Sequence, residues 1–483
     1  MSNNNFTADL RCRVASTRPT RWVRFAIVTL IFLGWVAWMG NWWLAIFVIL
    51  LFDIYITGYI PFTWWKKSPN PAVRSVMSWV DAIVYALILV YFVFAFIGQN
   101  YQIPSSSLEK TLLTGDYLFV NKVIYGPRVP MTPVNFPLVH NTMPIINTKS
   151  YLESPSLPYH RLKGLRNVES GDIVVFNFPA GDTVMSKVSN PDYYTLVKSL
   201  GRNAVLNNKA TFGEVIYRPV DRRENYVKRA VGLPGERLKI VDGTIYIDGV
   251  AENTPENVQY NYIFQVKGQG LSDEEWDNLG VAQEDIHYVG EVVQDAAVAR
   301  ANGYDVNADG TVPMVYVSPL TNGMIESLQS SGRISHIARL PQQPDGMLFP
   351  NDISDTWTID NYGGEDGILI PSKGMKLKIT DENWPVYERA IRVYENNPSA
   401  KLVNGKLYID NKPVDEYEFK MDYYFMMGDN RHNSLDSRYW GFVPEDHIIG
   451  SPWRVLISFD KDKSIFHGGI RWNRILRDAN PDK

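Results

Sequence analysis

From Phe25 to Trp65 the chain runs 41 residues with one charged side chain, Asp53. As a single helix that run would measure about 60 Å, roughly twice the hydrocarbon thickness of a bilayer. Two spans fit better than one, with the break near Gly40-Asn41, where Trp38, Trp42 and Trp43 suggest an interfacial belt. Ser75 to Gly98 supplies 24 further residues with one charge, Asp81, and reads as a third span. Asp53 and Asp81 both fall towards one end of their spans, which favours interfacial placement over a role as intramembrane acids. A cleavable leader is the competing reading, but the apolar tract is too long and lacks a small-x-small exit.

Basic residues set the orientation. Arg11, Arg13, Arg18, Arg21 and Arg24 precede the first span against a single acid, Asp9, and Lys66, Lys67 and Arg74 lie between the second and third. Both basic segments prefer the cytoplasm, and three crossings then place everything after Gln99 outside. The formal charge of -4 gives no reason to expect nucleic acid as a partner. The only cysteine is Cys12, so the outer part must be held by its core rather than by disulfides. The seven histidines form no His-x-x-x-His pair, which argues against a zinc protease; no metal or other cofactor is expected.

After Gln99 the chain reads mainly as β. YLFVNKVIYG, GDIVVFNFP, NYVKRAV, RLKIVDGTIYIDG and SPWRVLISF are short runs of branched and aromatic residues bounded by turn formers. Prolines crowd residues 127–165 and predict an extended surface excursion. KIVDGTIYIDG (239–249) and KLVNGKLYIDN (401–411) echo one another, each with an Asp-Gly or Asn-Gly hairpin signal. The echo suggests an inserted lobe over residues 250–400, with a helix near 383–396.

Three runs carry possible chemistry. IPSSSLEKTLLTGD places Ser107 within about ten residues of a membrane span. A serine attacks a carbonyl only with a base and with donors for the oxyanion, and Ser105 offers a second hydroxyl. A helix cap, Ser106 with Glu109, is the competing account of that segment. YVKRAVGLPGE places Lys228 in an extended run in which Lys228 and Arg229 point to opposite faces, one inward and one outward. As a base the lysine must be neutral, and lowering its pKa from about 10.4 towards 7–8 costs roughly 3–5 kcal/mol. A solvated strand edge is the alternative. MMGDNRHNSLDSRYWGFVPED supplies Asp436 and Arg438 as an ion pair and Ser434 as a partner for the lysine amine. His432 with Asp429 or Asp436 would make a conventional triad, though its polar neighbours predict an exposed ring.

Taken in order, IPSSSLEKTLLTGDYLFVNKVIYG, GDIVVFNFP, KRAVGLPGE and GDNRHNSLDSRYWGFVP resemble the successive boxes of bacterial type I signal peptidases, the Ser/Lys family of leader peptidases. The layout is similar to Bacteroidetes-type members. The resemblance implies Ser107 as nucleophile, Lys228 as general base and an oxyanion hole from Ser105 and the Ser107 amide. It further implies that Ser434 orients the lysine while Asp436 and Arg438 brace the site, and that no histidine base is used. Leu108, Glu109 and Lys110 follow the serine where the family often has Met and a nearby Pro, and Ser106 stands where many members have Gly.

The expected architecture is three transmembrane helices followed by a mainly β extracytoplasmic catalytic domain with an inserted second lobe. Its divisions are a basic tail (1–24), a two-span hairpin (25–62), a cytoplasmic loop (63–75) and a third helix (76–98). The catalytic domain occupies 99–249 and 401–483 around the lobe at 250–400. The expected partners are the lipid bilayer and signal-peptide-bearing preproteins, with the enzyme in the bacterial inner membrane, its N-terminus cytoplasmic and its catalytic domain periplasmic. A peptidase dedicated to one secretion or conjugation substrate, or a non-catalytic membrane-tethered β scaffold, is the alternative.

Overall fold

The computed structural model describes residues 3–40, 42–136, 138–146, 148–292, 296–350, 356–461, 463–464 and 468–480. Two helices are long and apolar enough to cross a membrane, Pro19–Met39 and Pro71–Phe96. Each starts with proline in its first turn, where a missing N–H costs nothing. Asn70 caps the second by accepting from the Ala72 amide at 2.9 Å. The first ends at Gly40, whose φ of 66° only glycine adopts readily. The break anticipated there falls at Gly40; Asn41 lies outside the described residues.

Between these helices, Leu44–Thr57 is a shorter apolar helical run. It begins as a 3-10 stretch, Trp42–Phe47, which rises ~2.0 Å per residue rather than ~1.5 Å. It doubles back along the first helix. Leu44 shares a cluster with Met39, Phe52 meets Trp22 and Phe25 edge-on, and Arg13 donates to the Gly58 carbonyl at 3.1 Å. Asp53 is occupied in closing this run, accepting from the Tyr59 and Ile60 amides at 2.7 and 3.1 Å. The Pro71–Phe96 helix lies with its C-terminal end beside that of the first, Trp35 packing against Phe92 and Phe96.

The rest is mainly β. Its main sheet has seven antiparallel strands: β1 Gly98–Gln102, β2 Asp116–Asn121, β3 Ile173–Asn177, β4 Asn225–Gly232, β5 Tyr423–Met427, β6 Val443–Pro444 and β7 Ile448–Ser458. Their order across the sheet is β1-β2-β7-β3-β4-β5-β6. One core cluster includes Val174, Phe176, Ala230 and Met426, and another includes Ile103, Leu108, Leu118 and Val175, so alternate residues of β3 serve different cores. The sheet curls into a half-barrel, which brings the segment after β1 against β4 although three strands separate them in the sheet.

Both echoed hairpins form, Arg237–Val241 with Thr244–Ile247 and Lys401–Val403 with Lys406–Ile409. Their turn residues, Asp242-Gly243 and Asn404-Gly405, all have positive φ, the requirement of a two-residue type I′ turn. Residues 260–339 build a separate four-stranded sheet with its own core around Phe264, Trp276, Tyr316 and Leu328. Residues 348–400 instead share one cluster with both hairpins and with β5. The anticipated helix near 383–396 appears as Trp384–Arg389, continued by a π-turn to Tyr394. Residues 127–165 form an extended arch held by isolated bridges such as Asn135 with Tyr151. It lies against the membrane helices, where Tyr91 Oη donates to the Pro133 carbonyl at 3.1 Å and Val129 and Leu162 pack on Met39 and Phe96.

Candidate active site

Ser107 sits in a single 3-10 turn, Ser106–Leu108, immediately after β1. Leu108 and Leu112 are buried beside Ile103 and anchor that turn. From across the site the Gly428-Asp429-Asn430 turn grips its backbone: the Asn430 amide donates to the Ser107 carbonyl at 3.1 Å and Asn430 Nδ2 to the Ser106 carbonyl at 3.4 Å. Gly428 has no room for a side chain. A Cβ there would lie 2.3 Å from Ser434 Oγ and 2.5 Å from the Ser107 carbonyl oxygen. The capping box proposed for Ser106 and Glu109 does not form; Ser105 precedes the turn and its side chain caps nothing.

Lys228 Nζ lies 2.5 Å from Ser107 Oγ, bridging 121 positions of sequence. Lys228 is 5% exposed and Ser107 8%. Lys228 projects from the middle of β4, opposite Val174 of β3. Burial pulls its ammonium down to about 8, with Arg438 adding to the effect and Asp436 and Asp429 opposing it. That displacement corresponds to about 3 kcal/mol against the charged form.

The two acids do not neutralise Lys228 because each is committed to an arginine. Asp429 accepts from Arg229 Nε at 2.8 Å and Nη2 at 2.7 Å, and from Thr111 Oγ1 at 2.7 Å. Asp436 accepts from Arg438 Nε at 2.9 Å and Nη2 at 2.7 Å, and from the Gly428 amide at 3.1 Å. Both carboxyls are held below the usual range by their arginines despite full burial. Fork-to-fork pairing suits arginine, whose planar donors match a carboxylate. The expected Asp436–Arg438 pair is therefore present.

Three expectations need correction. Arg229 does not point outward to solvent; it is 2% exposed, because Asp429 supplies a buried partner on the face opposite Lys228. Ser434 Oγ is buried beside Gly428 but makes no hydrogen bond, to Lys228 or to any other group. His432 is not exposed. Its ring is buried, with Nε2 on Asp360 Oδ1 at 3.0 Å, while Nδ1 accepts from the Asn261 amide at 3.1 Å and Gln342 Nε2 at 3.2 Å. Those contacts fasten residues 261, 342 and 360 to the Gly428-Asp429-Asn430 turn and leave no ring nitrogen for Ser107.

Ser105, the other oxyanion candidate, is exposed and extended, with φ of -136°. Of the three residues after the serine, Leu108 is core. Glu109 is pushed up to about 7 by burial, with Lys110 opposing the shift. Lys110 adopts a left-handed φ of 73° and donates to the Gly280 carbonyl of the separate four-stranded unit. Sequence reasoning missed Gly428, Asn430 and Thr111 as supports of the nucleophile and missed Asp360 altogether. The Gly-Asp-Asn turn was visible as a turn, but nothing local tells that it clamps a segment more than three hundred positions away. Among the described residues no cluster of His, Cys, Asp and Glu has the makings of a metal site.

Residues 76–311 and 370–456 match the family model described as signal peptidase, peptidase S26. The signal peptidase I of Buchnera aphidicola (subsp. Acyrthosiphon pisum) is 24% identical over 80% of this chain and 76% of its own length. That of Haemophilus influenzae is 20% identical, covering 85% of this chain and 78% of itself. The Pseudomonas fluorescens signal peptidase I is 39% identical over a shorter stretch, 26% of this chain and 51% of its own. With two thirds of its length inside the family match, and an alignable serine and lysine held together in a half-barrel, this chain belongs to the signal peptidase, peptidase S26, family.

Proposed function

We propose that this chain is a membrane-bound serine endopeptidase that removes N-terminal signal peptides from exported preproteins with a Ser107/Lys228 dyad. The 2.5 Å contact between two buried side chains carries this reading. Neutral Lys228 takes the Ser107 proton as Oγ attacks the scissile carbonyl. The oxyanion is received by the Ser107 amide and the Ser105 hydroxyl. The Lys228 ammonium returns its proton to the departing amine, and water attack on the acyl-enzyme, again through Lys228, frees the leader's carboxylate. Asp436 and Arg438 brace the lysine's strand. Ser434 would orient the amine once a rotation about its Cα–Cβ bond turns Oγ towards it.

The chain crosses the bacterial inner membrane three times in this reading, with the N-terminus cytoplasmic and the catalytic domain periplasmic. Support comes from the return of Leu44–Thr57 along the first helix, which gathers Arg13, Arg18, Lys66, Lys67 and Arg74 at one end. The catalytic domain leaves from the other end. Residues 250–400 form the inserted lobe, with 260–339 its self-contained part. Ser107→Ala and Lys228→Ala should each lower turnover by about 10³-fold or more while leaving folding and membrane insertion intact. The test is cleavage of several unrelated preproteins in detergent by wild type and Lys228→Ala side by side. Equal activity of the variant would refute the dyad, and processing of a single preprotein would mark a dedicated peptidase.

A further inference from the structure

Between the last turns of the Pro71–Phe96 helix and the 127–165 arch lies a cavity of about 190 Å³. Lys122, Arg128 and Arg222 line it, together with one acid, Asp221. Among the described residues none of the four takes part in an ion pair. Lys122 Nζ donates to the Phe94 carbonyl at 2.5 Å, and Arg128 to Asn177 Oδ1 at 2.7 Å and to the Asp446 carbonyl. Arg222, 7% exposed, donates to Thr132 Oγ1 at 2.6 Å and the Thr132 carbonyl at 3.0 Å. Every one of these acceptors is neutral. Cations withdrawn from water are ordinarily matched by a carboxylate, as Arg229 and Arg438 are in the active site. Here three positive charges face one negative charge around an empty volume, and a counter-ion is missing.

The remaining wall is apolar and belongs to the membrane side. Val90 and Tyr91 come from the membrane helix, and Leu138, 67% exposed, stands on the arch. Asp221 Oδ2 is occupied by the Thr132 amide and hydroxyl at 2.8 and 2.9 Å, but Oδ1 is buried without a partner and lacks a donor. Burial and the neighbouring Arg128 bring the Lys122 ammonium down to about 7, a penalty that an anion in the cavity would remove.

We propose that this cavity binds an anionic glycerophospholipid whose headgroup carries hydroxyls, with its phosphate on Lys122, Arg128 and Arg222. A headgroup hydroxyl serves Asp221 Oδ1, and the acyl chains follow the apolar flank of the helix. The inference rests on the reading that Pro71–Phe96 crosses the bilayer. The wall of Val90, Tyr91 and Leu138 favours a lipid over free phosphate, which would leave it unused.

Full-length protein in a neutral-detergent micelle, titrated with short-chain phosphatidylglycerol, phosphatidylcholine or inorganic phosphate, tests it. The readouts are the thermal midpoint and the lipid retained in native mass spectrometry. Phosphatidylglycerol should raise the midpoint and bind at least about tenfold more tightly than phosphatidylcholine, with Lys122→Gln removing about that factor and Lys122→Arg restoring it. Cleavage by Lys122→Gln in lipid-free micelles should stay near wild type, which shows that it folds; if it does not fold, Arg128→Gln takes its place. Equal binding of the two lipids, indifference to loss of the cation, or saturation by inorganic phosphate at matching concentration each overturns the proposal. Release of the chain from membranes by alkaline carbonate would instead overturn the membrane crossing itself, whatever the lipid titration shows.

Discussion

Lys228 and Arg229 are neighbours on one strand and both are buried, yet their surroundings differ. Arg229 meets the fork of Asp429 and keeps its charge, whereas Lys228 meets a hydroxyl and has no carboxylate within ion-pair reach among the described residues. A lysine brought to about 8 is protonated at lower pH, and the protonated form cannot accept the Ser107 proton. The rate should therefore fall as pH drops through about 8, approaching tenfold per unit, and a kcat/KM profile flat from pH 6 to 9 would contradict a neutral base. Gly428 is the other residue on which the site turns. Gly428→Ala forces a methyl group against the Ser107 carbonyl and should cut turnover by about 10²-fold with little change in unfolding midpoint, because the displaced atoms are those that place the nucleophile. The candidate serine and lysine were legible from sequence because each stands in a distinctive local run. The pairing of Arg229 with Asp429 was not, since the partners lie 200 positions apart and a Lys-Arg doublet in a strand looks the same whether or not a buried acid awaits it.

At the scale of elements, hairpins and strands were readable because their signals are local. Asn-Gly and Asp-Gly pairs demand positive φ, and runs such as IVVFN and SPWRVLISF have little alternative to a buried strand. The membrane run was harder. Composition divides it into three, but the middle element is short and mixes 3-10, α and π geometry, a choice governed by how it packs on the first helix. If that element returns to the starting side, Cys12 and the Lys66-Lys67 turn share the cytoplasm. The single cysteine makes this measurable: a membrane-impermeant maleimide should leave Cys12 unlabelled in intact spheroplasts and label it after lysis. Labelling before lysis would invert the topology.

Across the whole molecule, the serine turn, the lysine strand and the Gly-Asp-Asn turn converge because the sheet curls, and a separate four-stranded unit hangs from the same framework. Tyr262 and Arg339 are register partners at its base, so its two ends lie about 5 Å apart. Replacing residues 263–338 with a short Gly/Ser linker should thus leave a folded protein that still cleaves preproteins within about tenfold of wild type, since the unit's core is its own. Loss of the β-domain's cooperative unfolding in that variant would show that the unit is integral rather than inserted. The amino-acid sequence alone determined the membrane-anchored class, the β-rich character of the outer part, its hairpins and the identity of the candidate reacting side chains. Periodicity, turn chemistry and charge asymmetry are properties of neighbouring residues. Only the tertiary structure decided that Lys228 is dehydrated beside Ser107, that His432 is a buried fastener of Asp360, and that three cations ring an uncompensated cavity at the membrane face. Desolvation and pairing depend on which distant segments arrive at a point, and no local pattern encodes that meeting.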